Sequence, residues 1–196
     1  DRAQMLEWFP GRFLIEGDRN DYDYIYTREK LATLAGKKLH GKRNHIARFK
    51  DSGDWSYEPM TAENIEECRT MTYTWIHMRE EKWNEEMNQE ISVLHEAFDH
   101  MQELGLVGGV LRRDGQIVAF SIGERLNSET FVVHFEKAYP DLQGAYPMIN
   151  QQFVLHECEG YAYVNREEDM GLANLRLTKM SYKPWKLAQK YTAIVK

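Results

Sequence analysis

A β-type segment that runs directly into a polar helix start decides how this chain is interpreted: Tyr161-Ala-Tyr-Val-Asn-Arg-Glu-Glu-Asp-Met-Gly-Leu-Ala-Asn-Leu-Arg-Leu-Thr-Lys-Met-Ser-Tyr-Lys-Pro-Trp185. Residues 161–164 have the composition of a β-strand, and amide, guanidinium and carboxylate groups follow at once in residues 165–169. Ligands of open α/β sheets bind beyond the carboxyl ends of strands, beside helix N-termini. The segment therefore predicts a binding site, with Asn165 and Arg166 as candidate ligand-binding residues.

The polar residues of this segment also have a structural interpretation. They could be caps and ion pairs that fix the turn between strand and helix, with Asp169 as the helix N-cap. In the functional interpretation Lys179 and Lys183 hold the phosphates of a donor, and the Tyr182 phenol acts as a general acid. For the two lysines the alternative is an ordinary solvated helix face.

Periodicity predicts an α+β chain. The first half predicts a strand at residues 12–15, helices from Thr27 and over 42–49, and two longer helices between 61 and 104. In the second half, Asp114-Gly115 supplies the positive φ angles of a tight type I′ turn between two strands. A third strand at 130–138, a helix with Pro147 in its first turn, and the segment quoted above complete the order β-β-β-α-β-α-β.

Composition bounds the class of protein. The chain has 196 residues, 42% of them apolar, which fits one generous domain or one domain with an appended arm. No apolar run approaches the roughly 18 residues of a membrane helix, and the N-terminus has no signal-peptide pattern. We therefore expect a soluble, cytoplasmic protein. Cys68 and Cys158 stand apart from any metal-ligand spacing, which predicts buried structural thiols and no metal site.

The net charge of -6 conceals a segregation of charge. Residues 37–50 and residues 170–196 each carry six basic side chains and no acid, whereas residues 58–104 carry twelve acids against three basic residues. These two cationic arms, if brought together, would attract the phosphates of a nucleotide, coenzyme A, RNA or a lipid headgroup. Lys38, Lys42 and Arg43 are the candidate phosphate ligands of the first arm. The alternative is that the arms pair with the acidic helix face.

The strand predicted at residues 130–138 carries the candidate proton acceptors. Side chains alternate along a strand, so His134 and Glu136 lie on one face, about 7 Å apart. Either group could take a proton from an attacking nucleophile. The alternative is a buried, hydrogen-bonded pair of His134 with Glu136 that stabilises the sheet.

Several motifs resemble one protein family. They are Tyr24-Ile-Tyr26, the run from Leu31 to Phe49, Phe135-Glu-Lys-Ala138, Asn165-Arg-Glu-Glu-Asp-Met-Gly-Leu172, and Lys179-Met-Ser-Tyr-Lys-Pro184. Together they resemble the DUF2156 family, which is related to the C-terminal domain of phosphatidylglycerol lysyltransferase. The predicted strand order is also similar to that of the acyl-CoA N-acyltransferase (GNAT-like) superfamily.

The resemblance implies a GNAT-like acyltransferase fold, in which a central, mostly antiparallel sheet is flanked by helices. Such families contain tandem modules, as do the Fem aminoacyltransferases that use aminoacyl-tRNA. Residues 1–60 would then be a connecting piece left from a preceding module that is missing here, and residues 61–196 the C-terminal module. Coenzyme-A-dependent members present backbone N–H groups to the pyrophosphate from a Gly-rich loop. The corresponding turn here, residues 141–147, keeps only Gln143-Gly144-Ala145 of that pattern. Pro147 has no backbone N–H, so the turn offers one hydrogen-bond donor fewer to a pyrophosphate.

The resulting hypothesis is an acyl- or aminoacyl-transferase module. It would move an activated acyl group from a thioester, such as acyl-coenzyme A, or from aminoacyl-tRNA to an amine or hydroxyl acceptor. Glu136, His134 and Tyr182 are its candidate catalytic residues, and Gln143, Gly144, Asn165 and Arg166 its candidate donor-binding residues. The alternative hypothesis is a non-catalytic module that binds a nucleotide, tRNA or a lipid headgroup.

Overall fold

The computed structural model describes residues 2–78 and 85–196. Arg79 and Lys82, two of the three basic residues counted in residues 58–104, lie outside the described residues. The chain forms two compact units. We call Thr27–Val164 the central unit, and the residues up to Tyr26 together with Asn165–Lys196 the terminal unit.

The elements, in chain order, are α1 Arg2–Trp8, β1 Phe13–Glu16, β2 Asp23–Thr27, α2 Arg28–Thr33, α3 His40–Asp51, β3 Trp55–Pro59, α4 Ile65–His77, α5 Glu85–Asp99, β4 Val107–Arg113, β5 Gln116–Arg125, β6 Thr130–Ala138, α6 Ala145–Glu157, β7 Tyr163–Asn165, α7 Ala173–Ser181, β8 Lys186–Ala188 and β9 Thr192–Val195. Single 3-10 turns cover Arg19–Asp21 and Lys37–Leu39.

The strands of the central unit pair in the order β3-β4-β5-β6, and each pairing is antiparallel. The predicted hairpin is confirmed: Asp114 and Gly115 have φ angles of 50° and 81°, as a type I′ turn requires. The β5–β6 register shifts between Ile122 and Gly123, which changes the residue opposite each later position of β6.

Helices flank this sheet. α4 and α5 carry the core cluster on one side, where Trp75, Leu94 and Phe98 pack with Phe120 and Ile122 of β5. Helix α6 contacts β4, β5 and β6, and it also contacts α2 and α3. Cys68 and Cys158 are free thiols and both are buried, as predicted.

The terminal unit contains two further antiparallel pairings, β1 with β9 and β2 with β8. Backbone bonds also tie β2 to the segment after β7: the Arg166 N–H donates to the Tyr24 carbonyl at 3.0 Å, and the Tyr24 N–H donates to the Glu167 carbonyl at 3.0 Å. The polar segment quoted first is therefore fastened to β2.

The predicted fold class, α+β with mostly antiparallel strands flanked by helices, is confirmed. Residues 27–60 belong to the same compact unit as 61–164. The origin of residues 1–60 from a preceding module stays a prediction. The strand order β-β-β-α-β-α-β is observed from Val107 onward, with β8 as an additional short strand before the last one.

Candidate functional site

Glu136 and Asn150 form a hydrogen-bonded pair between β6 and α6. Asn150 is buried, and its Nδ2 donates to Glu136 Oε2 at 2.9 Å. Its Oδ1 is also buried and has no hydrogen-bond partner among the described residues. Glu136 itself is only half-buried. A carboxylate that is oriented by a buried amide and still meets solvent can accept a proton in a fixed direction.

The predicted alternative was a buried pair of His134 with Glu136, but neither side chain is buried. His134 Nε2 lies 2.9 Å from Glu124 Oε1 of the neighbouring strand, and both side chains are partly exposed. The register shift of β5 against β6 is the physical reason, because it places Glu124 within reach of His134.

The turn before α6 is closely packed. Gly144 is the N-cap of α6 with a φ of 89°, and no side chain caps the helix. A Cβ at Gly144 would lie 2.2 Å from the His45 carbonyl oxygen and 3.0 Å from Cβ of Phe49. The close approach of α3 is therefore sufficient by itself to exclude any side chain at position 144. Gln143 is exposed. A donor-binding role for Gln143 and Gly144 stays a prediction.

In the first cationic arm, Arg43 has a structural partner. Its Nη1 donates to the carbonyl of Leu34, the C-cap of α2, and to that of Gly36, which precedes the 3-10 turn. Lys38 is exposed and Lys42 half-buried. Of the three predicted phosphate ligands, Lys38 thus has the most accessible side chain.

In the terminal unit, two tyrosine rings enclose Arg166. Its guanidinium carbon lies 5.0 Å from the Tyr182 ring centroid and 5.8 Å from that of Tyr26, and the two rings meet edge to face. Arg166 is 9% exposed and Tyr182 2%. Stacking on aromatic faces holds the guanidinium plane in one orientation.

Lys179 supports the same turn from α7. Its Nζ donates to the Arg166 carbonyl at 2.6 Å and to the Glu168 carbonyl, and its own carbonyl accepts from the Tyr26 hydroxyl at 2.8 Å. Lys179 is buried. The alternative of a solvated helix face is therefore wrong for Lys179, whereas Lys183 is exposed.

Asn165 belongs to a second set of contacts at the start of this turn. Its Nδ2 donates to Asp23 Oδ2 at 2.9 Å. The Lys190 ammonium then bridges Asp23 and Glu168, at 2.7 Å from each carboxylate. The strand end predicted as a site is thus a network of paired charges.

Asp169 is the centre of the densest polar cluster. Its carboxylate is fully buried and accepts two bonds from Arg176, 2.8 Å from Nε and 2.7 Å from Nη2. The Tyr24 hydroxyl donates to it at 2.5 Å, and Arg19 Nη1 lies at 3.4 Å. These partners, Arg176 first, hold the pKa of Asp169 well below its usual range. The predicted N-cap role is wrong, because Leu172 occupies the N-cap of α7.

This cluster exposes part of two guanidinium groups. Arg19 and Arg176 are each 36% exposed while sharing one buried carboxylate. Arg176 Nη2 also donates to Asn20 Oδ1 at 2.7 Å. Because Arg19 and Arg176 share the single charge of Asp169, the exposed parts of their guanidinium groups keep a net positive charge. They could bind a carboxylate or phosphate. No cluster of acidic, histidine or cysteine side chains suited to a metal occurs among the described residues.

Comparison with known proteins decides the family. The family described as "Phosphatidylglycerol lysyltransferase, C-terminal" matches residues 2–194. The chain belongs to this family. The segments that carry the Asp169, Arg166 and Glu136 contacts therefore lie in a domain related to the C-terminal part of such lysyltransferases.

Relatives share the fold over the whole chain. A crystal structure of a conserved protein of unknown function from Bacteroides thetaiotaomicron is 43% identical, with a TM-score of 0.94, over 100% of this chain and 66% of that one. The structure of L-PGS from Bacillus licheniformis is 18% identical with a TM-score of 0.68, over 100% of this chain and 65% of that one. The latter likeness shows the fold alone.

An uncharacterised protein of Mycoplasmoides gallisepticum is 26% identical over 192 residues, which are 95% of this chain and 60% of that protein. The chain thus spans about two thirds of the length of the relatives it matches.

Proposed function

We propose that this chain is the C-terminal module of an acyl- or aminoacyl-transferase with a GNAT-like mechanism. The observation that carries the proposal is the family match, which extends over residues 2–194. The family's name supports a lysyl group, or another aminoacyl group, as the transferred unit and a phospholipid headgroup hydroxyl as the acceptor.

The donor in this proposal is aminoacyl-tRNA, with a thioester as the second choice. The turn before α6 supports this order, because α3 packs against Gly144, where a coenzyme-A loop would need open backbone N–H groups. Exposed Lys38 and the partly exposed Arg19 and Arg176 support a phosphate-bearing partner. The cytoplasmic location expected from the sequence belongs to the same proposal.

The chemical step needs few groups. The acceptor hydroxyl attacks the ester carbonyl of the donor, the tetrahedral intermediate collapses, and the ribose hydroxyl of tRNA leaves. Glu136 accepts the proton of the attacking hydroxyl and returns it to the leaving oxygen, so atoms and charge balance. Asn150 orients that carboxylate. His134 is the second candidate for proton acceptor. Positioning of the two substrates supplies most of the rate enhancement.

A second candidate function is a non-catalytic module that binds a phosphate-bearing ligand. Two observations favour it: the closed packing at Gly144, and the burial of Tyr182, which was the predicted general acid. Arg19 and Arg176 would then serve recognition without transfer.

Ligand-induced stabilisation identifies which ligand the protein binds. The protein is melted with acetyl-coenzyme A, with uncharged tRNA and with tRNA in high salt. A ligand at 100 times its Kd stabilises the folded state by about 2.7 kcal/mol. The proposal expects stabilisation by tRNA that falls with salt, weakened in Lys38→Gln and retained in the control Arg125→Gln, whose side chain is exposed outside both arms.

Binding alone fits either function, so turnover decides between them. Formation of aminoacylated lipid supports the transferase. Salt-sensitive tRNA binding without any product under the same conditions supports the binding module, and stabilisation by acetyl-coenzyme A alone contradicts the choice of donor.

A further inference from the structure

Helix α7 buries a lysine while it exposes two large apolar side chains. An ordinary surface helix buries its apolar side chains and exposes its polar ones. In α7, Lys179 is 9% exposed and the following Tyr182 2%, whereas Leu177 is 69% exposed and Met180 42%. An apolar face that points to solvent on a well-anchored helix needs an explanation.

Helix geometry places the exposed apolar side chains together. At 100° per residue, positions 173, 177 and 180 lie within an arc of about 60°. Ala173, Leu177 and Met180 are all exposed. Lys179 lies about 130° around the helix from the centre of this arc and donates to the Arg166 and Glu168 carbonyls. These bonds prevent α7 from rotating to bury Leu177.

The residues that follow α7 are amphipathic and cationic. Trp185 is 50% exposed, and the Lys186 ammonium lies 4.7 Å from its ring centroid. Lys183 is exposed as well. Residues 170–196 contain no acid. A tryptophan with flanking lysines, a few residues after exposed aliphatic groups in the sequence, is the composition of a segment that binds at a membrane–water interface.

We infer that the outward face of α7, defined as Ala173, Leu177 and Met180, docks together with Trp185 on the surface of a membrane that contains anionic phospholipids. The aliphatic groups and the indole enter the headgroup region, and Lys183 and Lys186 attract the lipid charge. A nine-residue helix offers less surface than the roughly 800 Å² per partner of a stable protein interface. Shallow insertion needs only a few apolar side chains and nearby cations. This docking requires no transfer chemistry and goes beyond the proposed function.

Vesicle co-sedimentation tests the inference. The protein is mixed with vesicles of phosphatidylcholine alone, or with one third phosphatidylglycerol or phosphatidylserine. We expect binding to both anionic compositions, at least roughly tenfold weaker for the variant Leu177→Ser/Met180→Ser. The control Val93→Ser removes an apolar side chain of similar exposure, 58%, from α5 and should bind like the wild type. Lys186→Gln should weaken binding roughly fivefold.

Other outcomes overturn the inference. One is that the wild type fails to bind vesicles at low salt, and another is that the double variant binds as well as the wild type. Binding to phosphatidylglycerol but not to phosphatidylserine vesicles would also overturn the inference, because it would indicate headgroup recognition at a substrate site. A wild-type dimer in gel filtration that the double variant loses would assign the face to a second copy of the chain. Thermal melts of all variants confirm that they fold, and because no transfer is measured, failure here is distinct from failure of the transferase proposal.

Discussion

At the scale of single residues, Asp169 is the side chain on which the terminal unit most depends. It is fully buried and is the shared partner of Arg176, Arg19 and Tyr24. Asp169→Asn removes the charge and leaves two guanidinium groups without their counterion. Because both guanidinium groups are partly exposed and can be solvated, we expect the free energy of unfolding to fall by about 1.5–3 kcal/mol, measured by urea denaturation. Asp21→Asn, an exposed carboxylate of the same unit, should change it by less than about 0.5 kcal/mol.

Because of the same carboxylate, we predict that the free energy of unfolding falls at acidic pH. Its pKa is lower in the folded chain than in the unfolded one, so the unfolded chain binds more protons as the pH falls. The stabilisation is complete above the unfolded pKa of about 3.9 and is lost as the pH falls further toward the folded value. Urea midpoints at pH 7, 4 and 3 should decline steeply in the wild type and less in Asp169→Asn. Equal slopes in both proteins would contradict this assignment.

The two cysteines should be chemically inert in the folded protein. Burial is the main cause that raises the pKa of Cys68 to about 12 and that of Cys158 to about 12. The thiolate is the reactive form, so at pH 8 neither should react with a thiol-exchange reagent until the chain is unfolded. Fast labelling of one thiol in the native protein would show that its surroundings open.

At the scale of elements, the contact between α3 and the start of α6 explains one glycine. Gly144→Ala combines a positive φ with a Cβ 2.2 Å from the His45 carbonyl. Gly160, at the other end of α6, has a similar φ of 85° and open space around it. We expect Gly160→Ala to cost about 1–2 kcal/mol, and Gly144→Ala about 1–3 kcal/mol more. Equal thermal shifts would contradict close packing at Gly144.

The elements that were predicted well are those whose sequence pattern lies in neighbouring residues. The Asp114-Gly115 turn and the strand Thr130–Ala138 were predicted with bounds close to those observed, because turn chemistry and alternation are written in adjacent residues. β8 was missed, since three residues carry no period. The contact of His134 with Glu124 was not predicted, because it depends on the register shift near Gly123. The burial of Lys179 was missed, because it depends on the carbonyls of the turn before α7 that accept bonds from its ammonium.

At the scale of the whole molecule, the sequence predicted that residues 165–169 form a polar turn after a strand, but not which residues this turn contacts. Asn165 ends β7 and Arg166 follows it, as expected, and their role in binding stays a prediction. The contacts of Asp169 with Tyr24 and Arg19 join residues 145 and 150 positions apart. A single sequence holds no signal for such pairings. The family was predicted correctly from motifs. A motif can be recognised in a sequence without knowing which residues its side chains contact.

None of the helices in the described ranges combines the length and the hydrophobicity needed to cross a bilayer. The membrane contact inferred for the exposed apolar side chains of α7 and the proposed lipid modification are separate expectations, because vesicle binding can be measured without any transfer.

The most direct test of the proposed function is transfer itself. The protein is incubated with tRNA charged with labelled lysine and with phosphatidylglycerol vesicles, and the lipid is extracted. We predict labelled lipid from the wild type and from the control Glu129→Gln, an exposed glutamate just before β6. Glu136→Gln should transfer about 10²–10⁴ times more slowly with a nearly unchanged melting temperature. Absence of labelled lipid from the wild type with any charged tRNA, or full activity in Glu136→Gln, would contradict the proposal.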